Sequence, residues 1–132
     1  MKCLIVDDDQ LLCMIHKDML SSVCDCDVAA DGQEAIQLFS DSINNMQPYD
    51  FICMDIEMPV CNGNEALSKI REIETERGIE TSKQVKIIML SSLNDPKTVM
   101  DSFYKGITTY IVKPVTKNNL FQILKNFKII QE

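Results

Sequence analysis

No stretch of these 132 residues approaches the about 20 consecutive apolar positions of a membrane-spanning helix, so insertion into a bilayer is not expected. A secretory leader is not expected either, because the first residues form a strand-like run leading straight into Asp7, Asp8 and Asp9. A cytoplasmic protein is the expectation. Positive charge is scarce: 13 basic residues stand against 20 acidic ones, giving a net charge of −7. Such a field repels a nucleic-acid backbone or an anionic membrane, and direct nucleic-acid binding is not expected. Paired cysteines of the zinc-binding kind are lacking. Of six cysteines, Cys3 and Cys53 fall in apolar runs, and Cys24-Asp25-Cys26 lacks the two-residue spacing of common zinc sites. Reduced, mostly buried thiols are expected. The single histidine, His16, reads as a surface or packing residue and is assigned no role. Without an internal repeat, low-complexity segment or linker, residues 1–132 are expected to form one domain, and Met1 directly before the first strand favours a natural single-domain protein.

What is present is an ordinary globular mixture, 45% hydrophobic and 25% charged. Short apolar runs alternate with longer amphipathic segments, the pattern of strand-helix units around a parallel sheet. Strands are expected over Lys2–Val6, Asp27–Ala30, Phe51–Met54, Val85–Leu90 and Thr109–Val112. Nearly continuous apolar composition in several of them predicts a sheet covered on both faces. Helical stripes follow at Leu12, Ile15 and Met19; Ile36, Phe39 and Ile43; Ala66, Ile70 and Ile73; Val99, Met100 and Phe103; and Leu120, Leu124 and Phe127. Asp31 with Glu34 and Asn62 with Glu65 have capping-box spacing, and Asp95-Pro96 supplies a cap followed by proline at the first helical position. Residues Glu74 to Gln84 read as a polar surface loop. Basic residues concentrate late, with 6 of the 13 beyond residue 94, where an acidic protein partner has a surface to meet.

In an open parallel sheet, ligands bind beyond the carboxyl ends of the strands. Asp7 and Asp8 follow the first strand, Asp55 the third, Ser91 the fourth and Lys113 the fifth. Converging carboxylates repel one another and call for a cation, and hard oxygen donors select Mg²⁺. Because Mg²⁺ usually keeps waters and meets a phosphate, the cluster suits a phosphorylated compound, with Lys113 as a compact charge for a phosphoryl oxygen. A carboxylate can attack phosphorus itself, and Asp55 is the candidate nucleophile.

The chain resembles the receiver domain of two-component response regulators over essentially its full length. Four segments carry the resemblance: Leu4-Ile5-Val6-Asp7-Asp8-Asp9, Met54-Asp55-Ile56-Glu57-Met58-Pro59 with Gly63, Ile87-Ile88-Met89-Leu90-Ser91-Ser92, and Tyr110-Ile111-Val112-Lys113-Pro114. It implies a flavodoxin-like (βα)5 doubly wound parallel sheet, strand order 2-1-3-4-5. It implies Mg²⁺ held by Asp8, Asp55 and the backbone carbonyl of Glu57, with Asp7 reaching it through water. It also implies phosphotransfer to Asp55 from a histidine kinase or histidine phosphotransfer protein, and signalling to a downstream protein target. Ser91 would bind the phosphoryl group and Tyr110 would swing inward, shifting the face formed by the fourth helix, fifth strand and fifth helix. A cis peptide before Pro114 belongs to the same pattern. Glu57 and Leu93 occupy positions that tune phosphoryl lifetime in this family. Cys61 and Asn62 read as loop filler. The unphosphorylated chain is expected to be a monomer. Two alternatives stand beside this reading: a partner-binding pseudo-receiver without phosphorylation, and a haloacid-dehalogenase-like phosphatase, whose aspartates two apart Asp7 and Asp9 would satisfy.

Overall fold

The computed structural model describes residues 1–58, 60–92 and 96–131. Five strands, β1 (Lys2–Val6), β2 (Asp25–Ala29), β3 (Phe51–Asp55), β4 (Lys86–Ser91) and β5 (Thr109–Val112), alternate with five helices, α1 (Gln10–Leu20), α2 (Gly32–Asn44), α3 (Gly63–Glu76), α4 (Pro96–Tyr104) and α5 (Lys117–Asn126). All strand pairs are parallel and the order is β2-β1-β3-β4-β5, the expected flavodoxin-like arrangement. The apolar strands are the central ones: every residue of β3 is buried, as are Cys3 to Val6 in β1 and Ile87 to Ser91 in β4. Side chains of successive strand residues point to opposite faces, so each strand feeds two cores. Leu4, Val6, Ile52, Met54, Ile87 and Met89 join one core with Phe39, Leu67 and Ile70 of α2 and α3. Cys3, Ile5, Phe51, Cys53 and Ile88 join the other with Leu20, Leu120 and Leu124 of α1 and α5.

Helix starts follow the capping residues. Asp9 accepts from the backbone N–H groups of Leu11 and Leu12, Asp31 from that of Glu34, and Asn62 from that of Glu65. The Glu34 carboxylate returns to the Ala30 N–H, closing the reciprocal box one residue earlier than the motif prescribes. Pro96 is the first residue of α4, while Asp95 lies outside the described residues.

Three expectations need correction. In α1 the buried residues are Cys13, His16 and Leu20, so the core stripe runs one residue later than Leu12, Ile15 and Met19; Leu11, Met14 and Ile15 face outward. Cys13 and His16 are not strongly apolar residues, so apolar periodicity alone did not reveal this face. In α4 the buried residue is Ser102, and Met100 and Phe103 are exposed. The segment from Glu74 is not a loop throughout: α3 continues to Glu76, and Glu74 is 1% exposed. Its carboxylate accepts from the Val85 N–H at 2.7 Å and pairs with Arg71 at 2.7 Å, which explains how a charge is tolerated inside. A short 3-10 turn at Thr81–Lys83 completes the connection.

Candidate functional site

The register of the sheet assembles the site. Val6 pairs with Met54, and Asp55 pairs with Leu90, so the ends of β1, β3 and β4 lie side by side. Asp7 follows β1 and is anchored by its N–H to the Ala29 carbonyl at 3.1 Å; Asp55 closes β3. Carboxylate oxygens of Asp7, Asp8 and Asp55 lie within 4.8 Å of one another. Asp7 and Asp55 are buried and Asp8 is exposed, giving the cluster an interior side and a solvent side. Lys113, just beyond β5, places Nζ 3.1 Å from Asp55 Oδ2 and 3.9 Å from Asp7 Oδ2. The peptide before Pro114 is cis, as expected. The Lys113 N–H donates to the Ser91 carbonyl at 2.8 Å, tying the lysine to the end of β4.

Burial pushes the carboxyl groups of Asp7 and Asp55 upward. For Asp55 the Lys113 ammonium opposes that rise, while the Asp7 charge adds to it. For Asp7 the Asp9 N–H, donating at 2.9 Å, and Lys113 oppose it, and Asp8 adds to it. The cluster is therefore short of positive charge despite the lysine. Asp7 Oδ2 is buried with no hydrogen-bond partner among the described residues. An orphaned carboxylate oxygen beside two further hard donors is the arrangement a Mg²⁺ ion satisfies, so the residues present fit that group.

The other expected site residues fall into two sets. Ser91 is buried at the end of β4, on the same sheet edge. Tyr110 points outward, 38% exposed, with its ring edge-to-face on Phe103 at 5.9 Å. Glu57 directs its backbone N–H to Asp55 Oδ1 at 3.2 Å, and its side chain accepts from the Ser92 hydroxyl at 2.8 Å, linking the loop after β3 to the end of β4. Leu93 lies outside the described residues. Gly63 begins α3 directly behind Asp55: a Cβ there would sit 2.8 Å from Ile56 Cα and closer still to the Asp55 carbonyl. This glycine permits close approach of α3 to the end of β3.

Sequence reading missed two neighbours. The Cys13 thiol donates to the Asp7 carbonyl at 3.4 Å, and buried His16 packs on the same side of the sheet. A helical stripe drawn through Cys13, His16 and Leu20 would have found both. Cys61 is buried against Gly32.

Residues 3–125 match the response regulator receiver domain. The chain belongs to that family and is a receiver domain of the two-component and phosphorelay type. Over 127 residues it is 30% identical to hybrid signal transduction histidine kinase I of Dictyostelium discoideum, covering 93% of this chain and 7% of that protein. Across the first relatives it matches, the chain spans between 5% and 52% of their length. Two solved structures bear on the site. One is a receiver domain of a Saccharomyces cerevisiae response regulator in complex with a histidine phosphotransfer signaling protein (25% identity, TM-score 0.83, covering 95% of this chain and 86% of that one). The other is the receiver domain of a Pseudomonas aeruginosa sensor histidine kinase with a magnesium ion coordinated in its active-site cleft (27% identity, TM-score 0.74, covering 95% and 94%).

Proposed function

We propose that Asp55 accepts a phosphoryl group from a phosphohistidine on a histidine kinase or histidine phosphotransfer protein in the cytoplasm. The observation that carries this reading is the convergence on one sheet edge of three carboxylates and the Lys113 ammonium, 3.1 Å from Asp55. In the transfer an Asp55 oxygen attacks phosphorus in line with the departing imidazole nitrogen; the P–N bond breaks as the P–O bond forms. Asp8, Asp55 and the Glu57 carbonyl would hold Mg²⁺, with Asp7 reaching it through water. When bound, that ion neutralises charge on the phosphoryl oxygens. Lys113 adds a second, fixed positive charge to a phosphoryl oxygen, and the Asp9 N–H and the Ala29 carbonyl hold Asp7 in place. Little bond chemistry is asked of the protein beyond positioning and charge compensation.

The Ser91 hydroxyl then binds the phosphoryl group, and Tyr110 leaves its contact with Phe103 to occupy the space released behind it. This reorganisation presents a changed α4-β5-α5 face to a downstream protein. Support comes from α4 itself, where the buried residue is a serine and the apolar Met100 and Phe103 are exposed. A weakly buried element is inexpensive to move.

Intact-mass measurement after incubation with acetyl phosphate, with and without Mg²⁺, tests the central step. One added phosphoryl group, dependent on Mg²⁺ and lost in Asp55→Asn, is expected. A folded, Mg²⁺-binding protein that gains no mass would instead be a pseudo-receiver.

A further inference from the structure

On the opposite end of the sheet from Asp55, Cys3 comes together with the sequence neighbours Cys24 and Cys26. Cys3 opens the buried part of β1, Cys26 is its register partner on β2, and Cys24 precedes β2 at the turn from α1. Their sulfur atoms lie within 4.8 Å of one another, with Cys24 Sγ and Cys26 Sγ 3.5 Å apart. Cys53 adjoins Cys3 from β3. None of these thiols serves the phosphoryl site, and none is in a disulfide.

The donor set selects its ligand. A disulfide would use two sulfurs and strand the third. Zinc in structural sites takes four ligands in a tetrahedron, whereas among the described residues the group within 4.8 Å holds three sulfurs and no imidazole or carboxylate, and Cys53, though it adjoins Cys3, lies outside it. Soft thiolates favour soft, monovalent copper, and three sulfurs suffice to surround it in a plane. We propose that Cys3, Cys24 and Cys26 form a trigonal thiolate site for a soft monovalent ion, Cu(I).

The thiols are already gathered for a cation, with Cys24 Sγ and Cys26 Sγ sharing a hydrogen bond at 3.5 Å. Metal binding displaces the thiol protons, which pass to solvent. Access comes from the sheet edge: β2 is a terminal strand, and Cys24 and Cys26 are 9% and 8% exposed while Cys3 is fully buried.

The test is anaerobic titration of the reduced chain with Cu(I), following the ultraviolet thiolate-to-copper absorption and competing with a Cu(I) chelator. Saturation at one equivalent is expected. Cys26→Ser should weaken binding by more than the about 10–100-fold typical of losing a supporting partner, with Cys61→Ser unchanged. Tight binding that survives Cys26→Ser overturns the assignment, as does one-to-one Zn(II) binding of equal affinity. X-ray absorption on the unaltered chain guards against a variant that misfolds. Three sulfur neighbours around copper are expected; two sulfurs, or any nitrogen or oxygen neighbour, overturn it.

Discussion

Asp55 and Lys113 form the contact on which the residue-scale argument turns. Burial raises the Asp55 carboxyl above 3.8, so the folded chain holds that proton more tightly than the unfolded chain. The group's contribution to stability is then full at low pH and is lost as pH rises through the folded value. In chelator-treated protein near neutral pH, Asp55→Asn should therefore raise stability, by on the order of 1 kcal/mol after part is offset by the unpaired Lys113. Urea unfolding should show this gain shrinking as pH falls into the ordinary carboxylate range; a loss at neutral pH would contradict the charge balance described above. His16 has the opposite sign. Burial lowers it from 6.5, against the raising effect of Asp7 and together with the lowering effect of Lys113, and its Nδ1 is buried without a hydrogen-bond partner among the described residues. Stability from neutral His16 is full above 6.5 and declines as pH falls toward the lowered folded value. Between neutral pH and that window, His16→Leu should lose less stability than the parent, by on the order of 1 kcal/mol in matched urea titrations.

At the scale of elements, α3 is fastened by a buried ion pair. Glu74 receives the Val85 N–H and Arg71, and Arg71 also reaches the Val85 and Gly106 carbonyls at 2.8 and 2.7 Å, so one ion pair fastens α3 to the start of β4 and the turn after α4. Glu74→Ala leaves Arg71 without its counter-charge and the buried Val85 N–H without its acceptor, and should cost about 3–5 kcal/mol. A shifted urea midpoint with unchanged slope would register it. This pair also shows where sequence reading stopped. Polar Glu74 to Gln84 resembled a loop because nothing in a single sequence says that a glutamate has found an arginine three residues back. Central strands were legible because continuous apolar runs have one reading in a parallel sheet, and Asp7, Asp55, Ser91 and Lys113 were legible because each follows such a run. Edge strand β2 was less so: it starts at Asp25, with Cys26 and Ala29 as its buried positions. In α1, apolar Leu11, Met14 and Ile15 face outward while Cys13 and His16 turn in, so hydrophobicity ranked the residues in the wrong order. The same inversion occurs in α4, whose hold on the body is polar: Ser102 bonds Asn64 of α3, and the Asn64 amide donates to the Thr98 carbonyl of α4.

Across the whole molecule, apolar burial is uneven. Strand β3 is buried along its full length between two paired neighbours, whereas β5 buries one residue, Ile111, and α4 buries Ser102. Amide hydrogen exchange should follow that gradient, slowest in β1, β3 and β4 and faster by orders of magnitude in α4 and β5. Phosphorylation, or a beryllofluoride mimic with Mg²⁺, should alter protection in α4 and β5 and leave β3 unchanged; a uniform change would count against a localised switch. No helix among the described residues is long and apolar enough to cross a membrane.

The placement of Asp55 at the tip of β3 then has a mechanical meaning. A load applied at the stiffest point of a body does not deform that point; it is passed to whatever nearby part yields first. Here the yielding part lies two strands away, held by a serine hydroxyl and an edge-to-face ring pair. On the proposed phosphorylation of Asp55, the fold would work as an anvil and a spring, with the direction of signalling set by the difference in compliance between β3 and the α4-β5 flank.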